Sequence, residues 1–271
     1  MAYGYKKFKD YESRSIDELT DMLDNKEWTP PEFDENTDEP DDEWKEKDTD
    51  HMTLFVDLDG VIRNTIDVLK TEPQKHTEWD WGPDCQKQFD ENLEDSLFVF
   101  PTVNRSFLEE VMSAALRYDT VRVTFLTCQP NEKQKKFTDL FVCHVIDRMQ
   151  EMNEEFEELD LGKISVGYVD KAEDKLFWLS RHPHSVLIDD YPLFPDKIRS
   201  NSMDSKLLER VFLFKQPWNE ARTAEHRYLI EPTRLGLAYP TYEIQAMQFS
   251  PRRASFDKDF IWRFLRKLNQ D

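Results

Sequence analysis

The residues of this chain best placed to do chemistry are two carboxylates, Asp57 and Asp59, in the stretch from Thr53 to Thr65 that reads TLFVDLDGVIRNT. Leu54, Phe55 and Val56 are too few for an ordinary helix and are rich in strand formers. The run stops at Asp57-Leu58-Asp59-Gly60, so both carboxylates fall at the mouth of a buried strand. An extended backbone would put them on one face, and the glycine lets the chain turn away at once. Carboxylates crowded together there repel strongly unless a cation or hydrogen bonds offset the charge. Asp and Gly also suit a plain solvated turn, so the tetrapeptide gains meaning only from what lies at the other strand ends.

Those ends are laid out by a regular alternation downstream. After the first strand, Ile66 to about Leu97 carries Trp79, Trp81 and Phe89 among charged residues, with Gly82-Pro83 as a breaker, and reads as a small insert with helical pieces. Asn104 to Tyr118 has a helical apolar stripe, and Ser106-x-x-Glu109 predicts a capping box at its start. Val121 to Leu126 is a second strand ending at Thr127-Cys128, and Glu132 to Met152 a long amphipathic helix. Ile164 to Val169 is a third strand and Lys171 to Leu179 is helical. Ser185 to Ile188 is a fourth strand ending in Asp189-Asp190, and Val211 to Phe214 is a fifth. This alternation predicts an α/β fold with a mostly parallel sheet covered on both faces. Sites in such sheets form at the carboxyl ends of strands. Three polar clusters coincide with three such ends, which is more specific than any one of them.

The flanks are different in character. Ser15 is placed to cap a short helix through about Leu23, with Glu18 completing a capping box. From Glu32 to Asp50 eleven acidic residues face two lysines, and residues 1–52 read as an acidic, largely extended or disordered leader around that one helix. Residues 53–219 read as the folded core, with the insert at about 66–97, and 220–271 as an extension ending in an amphipathic helix over Phe256 to Leu268. Arg252-Arg253 could face the acidic leader or a second copy of the chain in a homodimer.

Composition bounds the rest. The chain has 271 residues, a formal net charge of -20 and 13% aromatics, so long nucleic acid is an unsuitable partner and anionic substrates need a local cation. Its three scattered cysteines form no CxxC pair, which points to a reduced compartment. Neither a secretory signal nor an apolar run of membrane-spanning length is present, and the expectation is a cytoplasmic protein that does not engage a membrane.

With VDLDGV, FLT, a lysine before a strand and VLIDD in that order, the chain resembles the haloacid dehalogenase-like hydrolase superfamily. The resemblance implies a Rossmann-like sheet of strand order 3-2-1-4-5 with a small helical cap inserted after the first strand. It implies that Asp57 is a nucleophile that takes up a phosphoryl group, and that Asp59 protonates the leaving oxygen and then activates water. Thr127, with Cys128 beside it, would contact the phosphate, and Lys175 or Lys171 would neutralise nucleophile and substrate. Asp57, Asp189, Asp190 and the backbone carbonyl of Asp59 would bind magnesium, Mg2+. These assignments make physical sense: oxygen-only donors suit magnesium, and a covalent carboxylate intermediate divides one hard displacement into two. Cys128 is not read as a nucleophile, because no histidine-based activation is evident.

Within that superfamily VLIDDYP, the later LFKQPWN and the early insert are most similar to the 5'(3')-deoxyribonucleotidases. That likeness covers roughly residues 53–219 and implies a magnesium-dependent 5'-nucleotidase, with Trp79, Trp81 and Phe98 as candidates for an aromatic wall on the base. Those aromatics could equally be the insert's own small core. Two alternatives stand beside the nucleotidase: a phosphatase on a nucleic-acid end or sugar phosphate, and a non-catalytic binding protein of the same fold working through its leader.

Overall fold

Short apolar runs with few polar interruptions form parallel strands buried on both faces. In the computed structural model, which describes residues 14–32, 51–65, 82–99, 101–226, 228–230 and 239–240, six of them pair in parallel. They are β1 (Met52–Val56), β2 (Val121–Cys128), β3 (Ile164–Val169), β4 (Ser185–Asp189), β5 (Val211–Phe214) and β6 (Tyr228–Ile230). Their order across the sheet is β3-β2-β1-β4-β5-β6. This differs from the expected five-strand order by the sixth member. Tyr228–Ile230 lies beyond residue 219, where the sequence suggests that the core ends, and it pairs in parallel with β5. The fold is α/β with a Rossmann-like parallel sheet.

Side chains alternate between two cores. Leu54 and Val56 of β1 point into one apolar cluster with Phe107, Val111 and Met112 of helix α3 (Arg105–Arg117), counting α1 (Ile16–Asp24) and α2 (Gly82–Glu91) before it. The same cluster takes Phe141, Val145 and Ile146 of α4 (Glu132–Met152). Phe55 points the other way, toward Leu176 and Leu179 of α5 (Lys175–Arg181) and Phe194 and Ile198 of α6 (Phe194–Ser200). Each such buried side chain contributes roughly 1.5–3 kcal/mol relative to an exposed one. Covering both faces leaves the carboxyl edge as the place where polar groups can gather.

Two helix starts show how the local chemistry is resolved. Ser15 and Glu18 form the expected capping box on α1, Ser15 Oγ accepting from Glu18 N at 3.2 Å. At α3 the expected Ser106-x-x-Glu109 box does not form. Asn104 caps the helix instead, its side chain accepting from Phe107 N at 3.4 Å, and Glu109 pairs with Arg105. Asn is among the strongest N-cap residues, and one placed just upstream takes the position from Ser106.

The described part of the insert is docked rather than separate. Phe89 of α2 and Leu97, in the turn after it, join Leu19 and Leu23 of α1 and Phe137, Leu140 and Cys143 of α4 in a third cluster. Arg14 adds an ion pair to Glu94 at 3.0 Å. Thr102–Val103 forms a small antiparallel sheet with Arg63–Asn64 on one side and Tyr239–Pro240 on the other. Beyond α1, Val166 N of β3 donates to Pro31 O at 3.1 Å, so the chain touches the edge of the main sheet there. The acidic stretch 33–50, Trp79 and Trp81 of the insert, and the terminal helix at 256–268 lie outside the described residues. Among the described residues no helix is long and apolar enough to cross a membrane.

Candidate active site

Parallel pairing sets the carboxyl ends of β1, β2 and β4 side by side. Val56 is level with Phe125 of β2 and Ile188 of β4, so Asp57, Thr127 and Asp189 emerge at one edge. Asp57 N donates to Ile188 O at 2.9 Å, which fixes how the chain leaves β1. Leu58 O then accepts from Ile62 N at 2.9 Å and Arg63 N at 2.7 Å, curling the following residues into a tight turn. Gly60 takes φ +82° in it, a region that costs a side chain strain.

Lys175 enters from the first turn of α5 and is almost fully buried. Its Nζ lies 2.9 Å from Asp57 Oδ2 and 2.7 Å from Asp189 Oδ2. Lys171, the other candidate, is exposed at the start of the preceding 3-10 turn. Lys171 sits on extended backbone before that turn and points to water, whereas Lys175 opens α5 with its side chain turned inward. Burial opposes the charge on Lys175, but Asp189 and Asp57 outweigh it and hold the amine protonated.

The carboxylates divide between two cations. Asp57, Asp189 and Asp190 offer ligand atoms that all lie within 4.8 Å of one another. Asp57 Oδ1 accepts from Leu58 N at 2.8 Å, and Asp189 Oδ1 accepts from Tyr191 N at 2.7 Å. Trp218 Nε1 donates to Asp190 Oδ2 at 2.9 Å, and Asn219 Nδ2 to Asp190 O at 2.8 Å. Asp190 Oδ1 is buried without a hydrogen-bond partner. Burial and then the neighbouring Asp189 push both Asp57 and Asp190 well above the usual carboxylate range. Three carboxylates around a single ammonium leave two negative charges unbalanced when ionised. The orphaned oxygen, the oxygen-only donor set and that charge deficit fit a hard divalent cation.

Asp59 turns away to a different partner. Arg63 Nε meets Asp59 Oδ1 at 2.8 Å and Arg63 Nη2 meets Oδ2 at 2.9 Å, a two-pronged pair. Thr65 Oγ1 also donates to Oδ1, Gln129 Nε2 donates to Oδ2 at 2.8 Å, and Thr127 Oγ1 donates to Oδ2 at 3.3 Å. Burial pushes Asp59 up, but the Arg63 charge and these hydrogen bonds outweigh it and hold the carboxyl below its ordinary range.

No protein-family model matches this chain, and no curated protein does. Placement within this fold is therefore the test of each residue singled out in the sequence. Asp57, Asp59, Thr127, Lys175, Asp189 and Asp190 come together at one edge. Cys128 is half-buried, donates to Asp170 O at 3.1 Å, and is pushed by burial up to about 11, a neutral thiol. Phe98 packs edge-to-face on His144 of α4, 6.2 Å between centroids, in the apolar seam between insert and core. Trp79 and Trp81 lie outside the described residues. Arg63, Gln129 and Trp218 were not singled out from the sequence. Arg63 and Trp218 stand inside quoted motifs, VDLDGVIRNT and LFKQPWN, so their place beside the acidic motif residues is the available signal.

Proposed function

We propose that this chain is a metal-dependent phosphomonoester hydrolase of the haloacid dehalogenase type, acting on nucleoside 5'-monophosphates. The observation that carries the reading is the convergence of Asp57, Lys175, Asp189 and Asp190 at the carboxyl edge with one buried Asp190 oxygen unpartnered. Asp57, Asp189 and Asp190 would hold magnesium, which supplies charge neutralisation between nucleophile and phosphate. Asp57 attacks phosphorus, forming an aspartyl-phosphate while the ester P–O bond breaks. Asp59, ionised while Arg63 grips it, takes up a proton as the phosphate binds, passes it to the departing oxygen and then takes one from the water that cleaves the intermediate. Lys175, bonded to Asp57 and Asp189, favours the ionised nucleophile against burial and aims it. Thr127, buried beside Asp59, is the phosphate-oxygen donor once substrate draws it away from that carboxylate. The nucleotide preference rests on the VLIDDYP and LFKQPWN likeness, which implies a base-stacking role for Trp79 and Trp81.

The engagement of both Asp59 oxygens by Arg63 favours one other reading, a protein of this fold that binds nucleotide without turning it over. Phosphate release from deoxy- and ribonucleoside 5'- and 3'-monophosphates, with and without magnesium and with Asp57→Asn as the blank, separates the two. Magnesium-dependent release from nucleotides is expected. Release from sugar phosphates or nucleic-acid ends alone would keep the chemistry and discard the substrate class. Binding without release from any ester would leave the second reading.

A further inference from the structure

Each of the three carboxylates clustered at the carboxyl edge carries an N–H donor on one oxygen. Asp57 Oδ1 accepts from Leu58 N at 2.8 Å and Asp189 Oδ1 from Tyr191 N at 2.7 Å, while the second oxygen of each meets Lys175. Asp190 is held differently. Its Oδ2 accepts from a side chain, Trp218 Nε1, at 2.9 Å, and its Oδ1 is buried with no hydrogen-bond partner. Oδ2 also lies against Gly60.

The indole is set by the residues that follow β5. Asn219 Nδ2 donates to Asp190 O and to Phe214 O, both at 2.8 Å, and Asn219 Oδ1 accepts from Gln216 N at 2.9 Å. Gln216 Nε2 reaches across to donate to Gly60 O. Residues 215–219 thus tie the Asp190 backbone, its Oδ2 and the turn at Gly60 into one unit. A loose carboxylate can rotate to present both oxygens, whereas this one is fixed with a single oxygen open.

We infer that Trp218 is a positioning residue that holds Asp190 to one metal-binding oxygen and thereby makes the site select magnesium over calcium. The inference rests on the reading of Asp57, Asp189 and Asp190 as a metal site, and it does not require turnover. Calcium gathers about six to eight oxygens and readily takes both from one carboxylate, whereas magnesium keeps to a strict octahedron of about six and completes it with water. The donors on Asp57, Asp189 and Asp190 compete for the paired oxygens that calcium uses. Those from Leu58 and Tyr191 are main-chain amides, which a substitution leaves in place. The Trp218 donor is the one that a change of side chain removes.

The test follows the thermal midpoint of chelator-treated protein titrated with magnesium chloride or calcium chloride, with Asp190→Asn as the blank for cations gathered by the acidic surface. Wild type is expected to respond to magnesium at a lower concentration than to calcium. Trp218→Phe keeps an aromatic ring and loses the N–H. It should weaken magnesium binding by about 10–100-fold, the usual loss when the group holding a metal ligand is removed, while calcium binding is unchanged or tighter. Gln216→Leu unties the same loop from Gly60 and should narrow the preference to a smaller degree, and it decides the matter if Trp218→Phe does not fold. Equal weakening of both cations, as a merely structural role would give, overturns the inference, and so does a preference that either folded variant leaves intact. Wild type that binds calcium as tightly as magnesium overturns it as well. Preferential magnesium binding without phosphate release would sink the hydrolase reading and leave this one standing; phosphate release with no preference between the cations would do the reverse.

Discussion

A Cβ on Gly60 would stand 2.0 Å from Oδ2 of Asp190. The glycine is therefore required twice, once for its φ of +82° and once because a carboxylate occupies the space beside it. Gly60→Ala should lower stability by about 1–3 kcal/mol from backbone strain alone and displace Asp190 from the cluster. Thermal denaturation with increasing magnesium should show a wild-type midpoint that rises and a variant midpoint that responds little.

Lys175 is the sole ammonium bonded to Asp57 and Asp189 among the described residues. Lys175→Met should cost about 3–5 kcal/mol, the usual penalty for stripping the partner from a buried charge. The loss should be smaller at pH 5 than at pH 8, because the abandoned carboxylates can take up protons at the lower pH. Denaturant unfolding at both pH values measures it. A variant as stable as wild type at pH 8 would show that Lys175 does not carry the charge balance.

Asp57 and Asp190 are raised above their ordinary values in the folded chain. Between the unfolded and folded values the native state binds more protons than the unfolded one, so metal-free stability falls as pH rises through that window. Magnesium binds the ionised carboxylates and should offset the fall. Its stabilisation should therefore be larger at pH 8 than at pH 5, and should grow with concentration as expected for a ligand of the native state alone. Chelator-treated protein, unfolded with and without magnesium at each pH, gives the comparison.

Asp57→Asn removes one of three crowded charges at constant volume. Phosphate release should fall to the buffer level, yet the metal-free variant should melt at or above the wild-type temperature. A neutral side chain next to Asp189 and Asp190 relieves repulsion that the native site maintains. A lower melting temperature would mean that the Lys175 pair stabilises the fold more than the crowding costs.

The strands that carry the site were legible because parallel, doubly covered strands read as short apolar runs, and β1, β2 and β4 each end in a polar group. Asp57, Asp189 and Asp190 stood out by type and position. The choice between Lys171 and Lys175 turns on where the helix begins: Lys175 opens α5 with its side chain buried, and Lys171 precedes the 3-10 turn on extended, exposed backbone. The partners of the carboxylates were not legible, because each pairing depends on the tertiary path: Gln129 reaches Asp59 across 70 residues of chain and Trp218 reaches Asp190 across 28. Arg63 is near Asp59 in sequence, but only the tight turn at Gly60 folds it back. β6 was missed because three residues, one of them exposed, carry too little periodicity to register as a strand.

β3 is the outermost strand on its side of the sheet, and outermost strands are templates for the backbone of another molecule. The bond from Val166 N to Pro31 O uses up one of its free donors. Glu32, bridged at the same point and 3.7 Å from Lys135, adds a charge next to a residue that cannot donate. Proline and charge are the devices by which natural sheets keep their borders from pairing with strangers. The segment after α1 thus acts as a guard on solubility. A chain trimmed to begin at residue 14 would keep that guard, and one trimmed to begin at residue 51 would lose it, making concentration-dependent aggregation the cost of removing the whole leader.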